Sequence, residues 1–204
     1  SYGDQEVFSI DEMIRLFDLD DVNQSASAFN PEKLTWLNQQ HIIAMPAEHL
    51  GKALTTFLER TGLDPDKGPP AIDVADVFRE RAETLLQMAE SCRYCDDDFD
   101  DWDAKAAKKH LRPVVLAPMQ SALAAFEALE NWTAEAIQQA IEASAADHNI
   151  GMGKLGQPLR VAVTGGPVSP PIDKTILLVG RDRTLSRVRR AIEFIAARAA
   201  GNEG

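Results

Sequence analysis

Helix-start signals recur along this chain, apolar residues follow them at 3.6-residue spacing, and proline or glycine ends several of the runs. No stretch alternates apolar and polar residues as a half-buried strand requires, and no internal repeat is visible, so the expected fold is all-α. Ser9-Ile10-Asp11-Glu12 has the form of a capping box, which predicts a short helix burying Ile10, Ile14 and Phe17. Asn30 before Pro31 joins an N-cap side chain to the helical position that tolerates proline, and Leu34, Leu37 and Ile42 continue an apolar face until Pro46. Leu50, Leu54, Phe57 and Leu58 mark a further helix ending at Gly62, and the turn-rich stretch 64–70 follows. Asp73 is expected to cap a longer helix carrying Val77, Phe78, Leu85 and Met88, from which Arg79 and Arg81 project on different sides.

Beyond it, the acidic run 96–103 reads as an exposed connection anchored by Phe99 and Trp102. An Ala/Lys-rich helix to about Leu111 comes next, then a helix through Leu129 whose start is shaped by Pro113 and Pro118. Thr133 is placed to cap the segment of Ala136, Ile137, Ala140 and Ile141. Helices over about 154–163, 172–179 and 183–199 complete the chain. The pattern predicts two consecutive helical-bundle domains, 1–131 and 132–204.

Only Cys92 and Cys95 are present, too few for the disulfide framework of a small secreted domain. No run of about 18 apolar residues exists to span a bilayer, and Ser1-Tyr2-Gly3-Asp4-Gln5-Glu6 lacks the order of a secretory signal, so no membrane partner and a cytoplasmic location are expected. The net charge of -11 argues at first against nucleic acid, whose binding relies on Lys and Arg. The layout differs from the total: after residue 150 there are nine Lys/Arg against four Asp/Glu. An acidic body with a local basic face suits selective rather than indiscriminate RNA contact, although acidic helices also simply keep a protein in solution.

Three blocks go further. Gly153-Lys154-Leu155-Gly156-Gln157-Pro158-Leu159-Arg160-Val161-Ala162-Val163-Thr164-Gly165 is followed closely by Ser169-Pro170-Pro171-Ile172. Phe17-Asp18-Leu19-Asp20-Asp21-Val22-Asn23 leads into the segment from Asn30 to Asn38, and Arg79-Glu80-Arg81-Ala82-Glu83-Thr84-Leu85 lies between. These blocks resemble the C-terminal, anticodon-reading part of bacterial glutamyl-tRNA synthetases, and the resemblance covers almost the whole chain.

The resemblance implies a module that reads the anticodon of tRNA(Glu). It matches Arg81 to the arginine that reads the third anticodon base, and makes Arg160, Ser169 and Ile172 candidates for the first two positions. The chemistry is suitable: anticodon bases are unstacked, a guanidinium offers several fixed donors, and a hydroxyl both donates and accepts, whereas Ile172 supplies only an apolar surface. Arg81 alternatively pairs with Glu80 or Glu83 at a solvated surface, and Ile172 alternatively belongs to the core. Family members that accept only glutamate tRNA are expected to carry arginine at the position of Arg81, which predicts a discriminating parent enzyme. Arg79, Lys154, Arg187 and Arg190 are candidates for contact with the tRNA backbone. Among the C-terminal arginines Arg181, Arg183, Arg187, Arg189, Arg190 and Arg198, several are expected to face solvent or to pair with Asp182 and Glu193.

Cys92-Arg93-Tyr94-Cys95 is half of a metal site at most, because a structural zinc takes four ligands and His41, His49, His110 and His148 are scattered. Two ordinary thiols and no metal are expected. Neither of the H-I-G-H and K-M-S-K-S type signatures of the synthetase nucleotide fold occurs, nor any phosphate-binding glycine loop. The chain therefore reads as a family sequence entered partway, catalytically inactive alone and holding no cofactor. Glutamate, ATP and magnesium then belong to the absent half of the class I parent ligase. A monomer is expected. The alternative reading is an acidic helical adaptor that binds a basic protein through 96–103.

Overall fold

The computed structural model describes residues 5–21 and 28–201, so Val22 and Asn23 of the N-terminal block lie outside the described residues. Among the described residues there are eleven α-helices and no strand. They are α1 (Ile10–Leu16), α2 (Pro31–Ala44), α3 (Ala47–Arg60), α4 (Ala71–Phe78), α5 (Leu85–Ser91), α6 (Ala104–His110), α7 (Leu116–Ala128), α8 (Ala134–Asp147), α9 (Met152–Thr164), α10 (Ile172–Val179) and α11 (Arg181–Gly201).

The starts follow side-chain chemistry. Ser9 and Glu12 form the expected capping box, Asn30 accepts from the Lys33 N–H at 3.1 Å, and Asp103 and Thr133 cap α6 and α8. Each such oxygen satisfies a backbone donor that has no partner within its helix. Gly165 ends α9 in the left-handed region at φ 78°, which returns the chain alongside that helix.

Two expectations are corrected. The capping box forms α1, but Ile10, Ile14 and Phe17 are 71%, 71% and 66% exposed. A seven-residue amphipathic helix buries its stripe only where another element covers it. The long helix from Asp73 through Met88 is two helices, with Asp73 in the first turn of α4 and Pro70 preceding it. Thr84 accepts from the Gln87 N–H at 3.1 Å while the Gln87 side chain accepts from the Glu83 N–H at 2.8 Å, a reciprocal cap that starts α5 anew. Arg81 consequently stands in the turn between helices. The expected helix over about 154–163 forms as α9, uninterrupted by Gly156 and Pro158. Pro158 removes the bond to the Lys154 carbonyl, close to the exposed N-terminal end of the helix.

Two apolar cores organise the helices. The first joins Ile42, Leu50, Leu54, Leu58, Phe78 and Met88. The second joins Leu111, Met119, Phe126, Ile137, Leu159 and Ile195, so residues on both sides of position 131 contribute to it. Helix α10 serves both: Ile172 and Ile176 enter the second, Leu178 and Val179 the first. Burial of each large apolar side chain is worth about 1.5–3 kcal/mol relative to exposure, so α10 is a strong joint between the two halves.

Candidate nucleic-acid interface

The turn at Gly165 sets 169–171 against the middle of α9, where Arg160 is half-buried between the fully buried Leu159 and Val161. Arg160 donates from Nε to Ser169 Oγ at 2.8 Å and from Nη2 to the Pro170 carbonyl at 3.1 Å. Ser169 Oγ also lies 3.0 Å from the Pro170 carbonyl and 3.0 Å from Thr175 Oγ1, and Thr175 donates to the same carbonyl at 3.1 Å. Beside this network opens a cleft of about 460 Å³ whose walls include Gly153, Gly156, Gln157, Arg160, Pro171 and Ile172. The glycines let a planar group approach the helix backbone.

Arg81 stands in the turn between α4 and α5, in the other half of the molecule. Its side chain is exposed, and among the described residues it forms no ion pair with Glu80 or Glu83. Burial holds the Arg160 pKa below its ordinary value, and the neighbouring Arg81 charge lowers it further. The Arg81 charge thus acts on Arg160, and neither guanidinium forms an ion pair among the described residues, an arrangement that an electron-rich or anionic ligand relieves.

The other predicted residues divide. Ile172 lines the cleft but is only 5% exposed and belongs to the second core, so the apolar-core alternative describes its packing here. Lys154 is exposed with no ion pair among the described residues. Arg79 turns inward: it donates to the Ile43 carbonyl at 3.3 Å and lies 3.7 Å from Asp76.

Arg187 and Arg190 depart from the expected backbone-contact role. Arg187 is buried, donating to the carbonyls of Tyr94 and Val163 at 2.7 Å each, to the Asp97 carbonyl at 2.9 Å and to Asp98 Oδ1 at 2.8 Å. Arg190 donates to the Phe99 carbonyl at 2.6 Å and stacks 4.9 Å and 4.7 Å from the ring centres of Phe99 and Trp102. The remaining arginines of α11 behave alike. Arg181 meets the Glu127 carbonyl, Arg183 the Cys95 carbonyl, Arg189 the Glu127 carboxylate and Arg198 the Leu111 carbonyl. None pairs with Asp182 or Glu193. Through Arg183, Arg187 and Arg190 the basic helix is an internal fastening for the acidic connection, a use that their spacing along one helical face already permits.

Cys92 and Cys95 are free and buried, and burial pushes the Cys92 thiol up to about 12 and the Cys95 thiol well above its usual range. Among the described residues no group of three His, Cys, Asp or Glu side chains is arranged to hold a metal ion, and no helix is long and apolar enough to cross a membrane. Thr175 and Tyr94 are the site residues that sequence reasoning missed. Thr175 sits one turn beyond Ile172 in α10, where helical spacing places it on the same inner face.

An all-helical module with Arg160 lining a glycine-walled cleft and the Arg81 charge acting on it is of the kind that faces RNA. The chain belongs to the anticodon binding domain family, whose model matches residues 47–192. It is similar to a solved glutamate tRNA ligase from Elizabethkingia meningosepticum at 29% identity, TM-score 0.82, covering 92% of this chain and 37% of that one. It is also similar to the glutamate-tRNA synthetase from Elizabethkingia anophelis at 29% identity, TM-score 0.78, covering 91% and 36%. The chain therefore spans little more than a third of the length of these relatives.

Proposed function

We propose that this chain is the anticodon-reading part of a glutamate–tRNA ligase and that its partner is tRNA(Glu). The observation that carries the reading is the match of residues 47–192 to the anticodon binding domain family, and the Arg81 charge, which acts on Arg160 from a separate helical unit, agrees with it. Arg81 stands to read the third base. The glutamate set has C there where the glutamine set has G, and the two bases present different edges and sizes, so one guanidinium favours the pyrimidine through hydrogen bonding and through space. Arg160 and Ile172, which line the cleft, and Ser169, bonded to Arg160, serve the first two bases, and Lys154 is free to meet a phosphate.

Binding energy spent here orients the tRNA. The acylation itself, with glutamate, ATP and magnesium, belongs to the portion of such a ligase that this chain does not span. A monomer acting in the cytoplasm completes the reading.

The test is binding of transcribed tRNA(Glu) and of single anticodon variants across a salt series. Loss of affinity on changing an anticodon base, at every salt concentration, supports the reading. An acidic adaptor would bind all variants alike, and that result ends the proposal.

A further inference from the structure

Ser169 is enclosed rather than presented. The residue is 7% exposed, and its hydroxyl has three protein neighbours: Arg160 Nε, the Pro170 carbonyl and Thr175 Oγ1. A serine hydroxyl has one proton and two acceptor sites. Arg160 occupies one acceptor site, and the proton goes to Pro170 or to Thr175 in either arrangement of the pair. No donor remains for a base.

Arg160 is the complement. The Nε and Nη2 bonds fix one edge of its planar group. Of the five N–H donors of a guanidinium, about three are left, one on Nη2 and two on Nη1, and the Nη1/Nη2 end is the free edge. Nη1 has no hydrogen bond among the described residues, and the side chain lines the cleft. Two fixed contacts on one edge leave a rigid fork on the other, the geometry that bidentate recognition of a base edge requires.

Behind Ser169 stands Thr175, fully buried, its hydroxyl directed to Ser169 and the Pro170 carbonyl. The Tyr94 hydroxyl lies beside Thr175 without a hydrogen bond of ordinary geometry. Apart from the Tyr94 hydroxyl, the network is closed on the protein side, and it meets the cleft at Arg160.

We propose that Ser169, backed by Thr175, is a positioning residue: it sets the plane of the Arg160 guanidinium and does not itself contact an anticodon base. This rests on the anticodon reading above and changes the division of labour within it. Ser169 and Arg160 then act as one unit at one anticodon position.

A double-mutant cycle decides it. The full chain and its R160A, S169A, S169T, T175V and R160A/S169A forms are titrated with tRNA(Glu) transcripts varied singly at each anticodon position. Positioning predicts that S169A and R160A lose discrimination at the same position, S169A by about ten-fold. It also predicts that the double form is no worse than R160A, that T175V shows a weaker loss there, and that S169T retains most of the discrimination. In the unbound protein the Arg160 Nε–H resonance exchanges slowly in the parent and S169T and rapidly in S169A, a readout that holds whatever the RNA does. Loss at a different position from R160A, or losses that multiply in the double form, overturns the positioning role while leaving the anticodon reading intact. If R160A changes discrimination nowhere, the anticodon reading and this role fall together.

Discussion

Arg187 Nη2 sits 2.8 Å from Asp98 Oδ1, pairing a guanidinium side chain that is 4% exposed with a carboxylate that is 77% exposed. The desolvation cost therefore falls on the arginine, and the carbonyls of Tyr94, Val163 and Asp97 offset most of it. Arg187→Ala removes four hydrogen bonds and leaves buried carbonyls unpaired, so urea denaturation is expected to show a loss of about 3–4 kcal/mol. Asp98→Asn costs less than about 1 kcal/mol, because the carboxylate is mostly in water. The Arg187 hydrogen bond holds the Asp98 pKa below its ordinary value. Its contribution is present above the unfolded-state pKa of about 3.9 and fades as pH falls through the lower folded value. A pH-independent difference between parent and Asp98→Asn below neutrality would contradict this.

Asp96, two residues earlier, has the opposite sign. Burial raises its pKa, with Asp97 and Asp64 adding to the effect, and one of its oxygens is buried without a partner. The ionised form then weakens the fold at neutral pH. Asp96→Asn is expected to stabilise by a few tenths to about 1 kcal/mol at pH 7. The gain shrinks as pH falls below the raised folded pKa, because the parent becomes neutral there. Thermal melts of both forms between pH 7 and pH 4 measure the convergence of the two curves.

Arg81→Gln keeps a hydrogen-bonding side chain but removes the charge and the fork. Among the described residues Arg81 makes no ion pair, so stability is expected to change by less than about 0.5 kcal/mol. Discrimination between C and G at the third anticodon position is expected to fall by about ten-fold or more. Competition binding with the two tRNA variants measures it. An unchanged preference would remove Arg81 from the interface.

Local signals carried the helix starts at Ser9, Asn30 and Thr133, because a cap is a contact between residues three apart. The break at 79–84 was also written locally, in Thr84 and Gln87, yet the apolar spacing of Val77, Phe78, Leu85 and Met88 read as one continuous stripe. Arginine use was not legible. The carbonyl of Tyr94 that takes Arg187 lies 93 positions away, and a backbone acceptor has no signature in side-chain identity. Charge counting could show that α11 is basic but not that its charge is already spent. The site was legible in part: Arg160 and Ser169 stood in one motif, but that the serine is consumed by Thr175 depends on how α10 packs.

Cys92 and Cys95 give a chemical check on the first core. With the thiols held far above their usual pKa by burial, the thiolate fraction at pH 8 is negligible. Alkylation of the native protein is expected to be slower than that of the urea-unfolded chain by at least about 100-fold, at a rate limited by opening of the core. Rapid labelling without denaturant would mean that the segment around 92–95 is open to solvent.

Gly51 links packing to the interface. A methyl group at this position of α3 would stand 2.8 Å from the Ile72 Cα and 2.9 Å from its nitrogen, so the backbone of α4 itself blocks it. Alanine is the better helix former by up to about 1 kcal/mol, which favours the substitution locally. Overpacking against an immovable backbone costs about 1–3 kcal/mol, and here it is the larger effect, so Gly51→Ala is expected to lower the melting temperature. The displacement also has a direction. Helix α4 must move away from α3, and it carries Phe78, whose carbonyl accepts the Arg81 N–H at 2.9 Å, so the turn that presents Arg81 moves with it. Gly51→Ala is therefore expected to weaken third-base discrimination without touching RNA. A stabilised Gly51→Ala protein with unaltered discrimination would show that α3 and α4 are not in the close approach on which the placement of Arg81 depends.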